Sequence, residues 1–97
     1  MDAQPCVYIL ASRRNGTMYT GVTRNPIQRI WQHKQGRVRG FTKKYGVHLL
    51  VYMELHETML GAIMREKQIK EWKRVWKIEL IESMNPEWRD PYDDICR

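Results

Sequence analysis

The dipeptide Asn15-Gly16 stands between two runs that alternate as strands do, CVYILASRR and TMYTGVT, and it constrains the fold more than any other feature. Asn-Gly between such runs is the strongest short-range signal for a β-hairpin. With Asn15 and Gly16 as a two-residue turn, Arg14 faces Thr17 and Tyr19 stands opposite Ser12. Tyr8 is an even step from Ser12, so Tyr8 and Tyr19 emerge on one face of the hairpin. That register predicts an offset of four residues along the strands, about 13 Å at roughly 3.3 Å per residue. Two readings follow: ordinary strand aromatics filling a core, or a pair of phenols held on a rigid scaffold.

Beyond the hairpin, Asn25 and Pro26 suit the cap and first position of a helix running to about Gln35, with Gly36 as its left-handed stop. Ile27, Ile30 and Trp31 make the expected buried stripe, and Arg29 and His33 are neighbours on another face. RVRGFTKKYG, residues 37 to 46, reads as a basic loop in which Phe41 and Tyr45 interleave with four cations. VHLLVYMEL, residues 47 to 55, predicts a third strand that is apolar on both faces and central in the sheet. From Thr58 the period turns helical, with Met59, Ala62, Ile63 and Ile69 on one stripe. The phase drifts near Trp72 into a second helix or a bent continuation that ends at Asn85-Pro86. The order β-β-α-β-α-α predicts an α/β (α+β) domain, a small three-stranded antiparallel sheet flanked by helices. The 97 residues make one such domain, with its core at about 4 to 90 and a short C-terminal tail.

Seventeen Lys and Arg against eleven Asp and Glu give a net charge of +6, which favours an anionic partner, most often nucleic acid. Cys6, Cys96 and the three histidines show no zinc-ligand spacing, so a structural zinc site is not expected. The N-terminal residues MDAQPCVYIL lack the pattern of a signal peptide, and no apolar run approaches the roughly 18 residues of a membrane span. The expectation is a soluble protein of a reducing cytoplasm.

Glu66 is the most informative single residue, because it lies at the centre of a stripe whose period asks for an apolar side chain. A carboxylate there must be paired, protonated, bound to a metal, or set at the rim of a cleft. Lys70, four residues on, is the ordinary partner. Arg29 and His33 form either a solvated pair or a site for phosphate, since guanidinium can grip two phosphate oxygens and imidazole can take a proton near neutral pH. Lys34, Arg37, Arg39, Lys43 and Lys44 are candidate nucleic-acid contacts. The aromatics among them suit single-stranded or distorted nucleic acid, where rings stack on bases and cations track phosphates.

Taken together, these residues resemble the GIY-YIG endonuclease superfamily. Cys6-Val7-Tyr8 stands at the first tyrosine motif and Tyr19-Thr20-Gly21 at the second, with Cys6, Val7 and Thr20 replacing the family's first glycine and two isoleucines. Arg29, His33 and Glu66 fall in the places of the family's arginine, its following histidine or tyrosine, and its metal-binding glutamate. FTKKYG, REKQIKEWKR and LIESMNPEW resemble a branch of small stand-alone bacterial proteins, and the likeness covers residues 4 to 90. Many members carry a cation just after the second glycine, where this chain has Val22; the resemblance makes Arg24 the substitute and a further candidate nucleic-acid contact. Asn85 is the only asparagine in the last third that could take the place of a late family asparagine, at a wider separation from Glu66 than the family pattern.

The resemblance implies a metal-dependent endonuclease that hydrolyses DNA phosphodiester bonds, with structure preference or weak sequence specificity. Tyr8, Tyr19, Arg29 and His33 would be catalytic, and Glu66 would hold one Mg²⁺ or Mn²⁺. The partner would be DNA, with RNA or single strands as variants and a homodimer or protein partner as a source of targeting. The alternative is a non-catalytic nucleic-acid-binding module on the same fold.

Overall fold

A computed structural model describes residues 3–38 and 40–90. The chain runs β1 (Cys6–Ala11), β2 (Met18–Thr23), α1 (Pro26–Lys34), α2 (Phe41–Tyr45), β3 (Leu49–Leu55), α3 (Met59–Glu71) and α4 (Arg74–Met84). The three strands form one antiparallel sheet flanked by helices, as the sequence implies. The short helix α2 lies where the basic loop was expected, between Gly40 (φ 100°) and a left-handed Gly46 (φ 64°).

The hairpin closes differently from the two-residue turn. Ser12 N–H donates to Thr17 O at 2.9 Å and Gly16 N–H to Arg13 O at 2.9 Å, so Arg13 to Gly16 form a four-residue loop. Asn15 takes the left-handed conformation (φ 58°), which asparagine tolerates. The Ser12 hydroxyl also accepts from Thr17 N–H at 3.0 Å. The loop is pinned from outside by Arg74, whose guanidinium donates to the carbonyls of Asn15 (2.6 Å) and Gly16 (2.7 Å). Tyr19 therefore pairs with Leu10 rather than Ser12, and Tyr8 with Gly21. The tyrosines keep one face, but their offset is two residues instead of four.

Strand order is β2-β1-β3, so the central strand is β1 and not β3 as the apolar run suggested. Every residue of β1 is buried. Val7, Ile9 and Ala11 join Val51, Ala62, Ile69, Ile81 and Trp88 in one core. Cys6, Tyr8 and Leu10 join Ile30, Val47 and Leu50 in a second core on the other face. Strand β3 looks central by composition because it too is covered on both faces. Pairing steps from Ile9↔Tyr52 to Leu10↔Leu50, a bulge at Val51 that sends Val51 and Tyr52 into the same core. Its outer edge is occupied by side chains: the Asn85 amide donates to Val51 O at 2.9 Å, and Leu50 N–H donates to the Asp90 carboxylate at 3.1 Å.

Pro26 opens α1 with Asn25 in the cap position, where its side chain makes no capping bond, and Gly36 follows in the left-handed region (φ 67°). The buried residues of α1 are Ile30 and His33, whereas Ile27 and Trp31 are exposed. The helix turns a polar ring inward because the sheet face it covers carries the Tyr8 hydroxyl. Helix α3 is capped by Thr58, whose hydroxyl accepts from Gly61 N–H at 3.0 Å, and Ala62 and Ile69 are its buried anchors. Extended backbone at Trp72 and Lys73 separates α3 from α4, at the phase break in the sequence. Among the described residues, no helix is long and apolar enough to cross a membrane.

Candidate active site

Three aromatic rings meet on the α1 face of the sheet. Tyr8 and Tyr19 lie with ring centroids 6.3 Å apart, and the His33 ring is 5.8 Å from the first and 5.5 Å from the second. The hairpin register makes the first approach possible, because the tyrosines are diagonal neighbours and the residue opposite Tyr8 is Gly21. A Cβ on Gly21 would stand 2.5 Å from the Tyr8 hydroxyl oxygen and 2.9 Å from Tyr19 Cε1, so both rings occupy the space a side chain would need.

The Tyr8 hydroxyl is 3.0 Å from His33 Nε2, and His33 Nδ1 is 3.0 Å from the Thr42 hydroxyl. All three residues are buried. Burial pushes the Tyr8 phenol up to about 12, with Tyr19 adding to the rise and the Arg29 guanidinium opposing it. Burial lowers His33 to about 4, and the positive charge of Arg29 acts in the same direction. At neutral pH the pair is therefore an undissociated phenol against a neutral imidazole, with a fixed cation beside both.

Helix α2 covers one side of this group. Phe41 stacks on Tyr19 at 6.4 Å and 29°, and Tyr45 lies 4.8 Å from Phe41, which continues the row of rings outward. Phe41 and Tyr45 are 45% and 49% exposed, so the row ends in solvent beside the exposed Lys43 and Lys44. Lys44 sits over the Tyr45 ring at 5.3 Å. Arg37 lies 4.8 Å over the exposed Trp31, and Arg24 is exposed at the end of β2. Lys34 is engaged within the protein, donating to His48 O at 3.0 Å and pairing with Asp90. Arg39 lies outside the described residues.

Glu66 approaches from α3. It pairs with Lys70 at 3.1 Å while its own side chain is only 13% exposed. Lys70 Nζ in turn lies 5.9 Å from the Tyr19 ring, so this flank of α3 turns toward the edge strand β2. The ordinary i, i+4 partner is present, with the carboxylate shielded and its lysine facing the Tyr19 ring. Among the described residues, no group of three or more His, Cys, Asp or Glu side chains converges as a metal cage. A lone carboxylate could hold only a hard cation that keeps several waters and borrows oxygens from a substrate.

Asn85 is occupied elsewhere. Its amide nitrogen donates to Val51 O and Arg89 O, and its oxygen accepts from Arg89 N–H at 3.0 Å, tying the C-terminal segment to β3. A second polar group, Glu54 with Tyr52, His56 and Arg65, lies on the opposite face of the sheet. Burial raises the Glu54 carboxyl, but bonds from Tyr52, Arg65 and His56 outweigh it and hold the group below the usual range. It joins β3 to α3. Thr42 carried no signal in the sequence, since a threonine between an aromatic and two lysines marks neither a period nor a motif.

A model of the GIY-YIG catalytic domain matches residues 4–79. A UPF0213 protein of Syntrophus aciditrophicus is 38% identical over 82 residues, covering 84% of this chain and 92% of that protein. A UPF0213 protein of Staphylococcus haemolyticus is 36% identical over 81 residues, covering 84% and 98%. The solution NMR structure of a UPF0213 protein from Bacillus halodurans aligns with a TM-score of 0.57 at 26% identity, over 90% of this chain and 92% of that one.

Proposed function

This chain belongs to the GIY-YIG family of nuclease-type domains, and from that premise we propose that it hydrolyses phosphodiester bonds of DNA with the help of one divalent cation. The observation that carries the reading is the Tyr8 hydroxyl held 3.0 Å from the Nε2 of a buried, neutral His33. A phenol at about 12 is a poor base alone. A neutral imidazole in contact gives the phenol's proton somewhere to go: Tyr8 can pass it to His33 as its oxygen takes one from the attacking water, and the phosphate charge that arrives with the substrate offsets the burial and the Arg29 charge that hold His33 low. The water oxygen bonds to phosphorus, the bond from phosphorus to the leaving oxygen breaks, and that oxygen is protonated from solvent. Tyr19 orients the water and the scissile phosphate. Arg29 neutralises the charge that builds on the phosphoryl oxygens.

Glu66 would hold the cation, which when bound supplies charge stabilisation at the leaving oxygen. Lys70 neutralises the carboxylate until then. Lys43, Lys44, Arg37, Arg39 and Arg24 would track the phosphates of a bound strand, and the exposed Phe41 and Tyr45 rings favour unpaired or distorted strands over a regular duplex.

The test is a cleavage assay on single-stranded, nicked, flapped and branched DNA and on RNA, with Mg²⁺, Mn²⁺ or EDTA. Cleavage of DNA with either metal and none in EDTA is expected. Unchanged cleavage in EDTA would remove the cation. Binding without cleavage under any condition would leave a nucleic-acid-binding module instead.

A further inference from the structure

We propose that Thr42 is a positioning residue: its hydroxyl accepts the Nδ1 proton of His33 and so fixes the tautomer in which Nε2 is open to the proton of Tyr8. This rests on the hydrolytic reading of the site, but its geometry is independent of it. His33 has a hydrogen-bonding group 3.0 Å from each ring nitrogen and only one proton to place between them. If the proton were on Nε2, the ring would donate to Tyr8 and the phenol's own hydrogen would have to point elsewhere. The groups that face the imidazole are Tyr8 from β1, Tyr19 from β2, Thr42 from α2 and Arg29 from its own helix. Arg29 is a donor only, so it competes for the phenol oxygen and cannot take the phenol hydrogen. A phenol is also far more acidic than an alkyl hydroxyl and makes the stronger bond to an imidazole nitrogen. Both points place the proton on Nδ1, facing Thr42.

The same assignment suits the reaction. When Nε2 receives the Tyr8 proton, the imidazolium keeps an acceptor at Nδ1, so neither of its N–H groups is buried without a hydrogen bond. Thr42 lies on α2 between Phe41, which stacks on Tyr19, and the exposed Lys43 and Lys44. The segment facing phosphate is thus the one that holds the proton acceptor.

The experiment is nitrogen-detected NMR of ¹⁵N-histidine-labelled protein, with His33→Gln used to assign the ring signals. It compares wild type with Thr42→Val and Thr42→Ser, each also scored for cleavage in Mn²⁺. Wild type should show protonated Nδ1 and bare Nε2 on His33. Thr42→Ser should keep that pattern, and Thr42→Val should lose it while cleavage falls about 10-fold or more. A wild-type His33 protonated at Nε2 overturns the proposal without any variant, and so does a folded Thr42→Val with an unchanged ring pattern. If wild type shows the expected tautomer but cuts no substrate, the nuclease reading fails and the role of Thr42 in holding the ring stands.

Discussion

Gly21→Ala tests whether the close packing of the two tyrosines is what makes the site. The added methyl would lie 2.5 Å from the Tyr8 hydroxyl oxygen, closer still to the ring carbon that bears it, and 2.9 Å from Tyr19 Cε1. Ordinary contact begins at 3.4 Å, so the Tyr8 phenol must move by about 1 Å. Tyr19 is half-buried and can swing outward, but Tyr8 is 1% exposed and bonded to His33. Overpacking of this kind costs about 2 kcal/mol, which lowers the melting temperature of a domain this size by about 8 to 16 °C. Displacement of a reacting group by about 1 Å costs about 10²-fold in rate. Gly36→Ala is the control: Gly36 has φ 67° with no atom within 4 Å of an added Cβ, so it loses about 1 kcal/mol through backbone strain alone. Circular-dichroism melting and cleavage in Mn²⁺ are measured on both at a temperature where each is folded. Gly21→Ala should lose cleavage and Gly36→Ala should keep it. Wild-type cleavage in a folded Gly21→Ala, or equal losses in both variants, would mean that the close packing of the two tyrosines does not make the site.

Glu66→Gln should remove metal-dependent cleavage while leaving the melting temperature within a few degrees and DNA affinity in EDTA equal or higher, because a negative charge leaves a phosphate-facing surface. Replacing Arg37, Arg39, Lys43 and Lys44 by alanine should weaken DNA binding and flatten its dependence on salt in a fluorescence titration. For pH, burial and the Arg29 charge lower His33 to about 4 in the folded protein from its ordinary 6.5, so between those values the unfolded chain binds more protons. Stability should therefore fall as pH drops from 6.5 to 4, by on the order of 3 kcal/mol. His33→Gln should flatten that slope in urea titrations at stepped pH.

Much of the fold is legible in the sequence because local chemistry and tertiary contacts agree. Asn15-Gly16 marks a hairpin, Asn25-Pro26 and Gly36 bracket a helix, and the lost phase at Trp72 marks a real break between helices. The errors lie where tertiary partners decide. The turn dipeptide cannot report that Ser12 and Arg74 stabilise a four-residue loop, and that single change halves the offset between the tyrosines. Helical period assigns Ile27 and Trp31 to the interior, but α1 buries His33 because a phenol waits beneath it. Apolar content cannot separate β1 from β3, since Asn85 and Asp90 cover an edge that would otherwise face water. Helix α2 spans five residues, too few for a period to register, and Thr42 with it.

Tyr8→Phe separates a phenol that moves a proton from a ring that stacks on a base. Phenylalanine keeps the ring and its packing against Tyr19 and His33, and removes only the hydroxyl bonded to Nε2. DNA binding in EDTA and cleavage in Mn²⁺ are measured on Tyr8→Phe and wild type side by side, at a temperature where both are folded. Affinity should be unchanged while cleavage falls about 10²-fold or more. Wild-type cleavage by Tyr8→Phe would strip Tyr8 of its role in proton transfer.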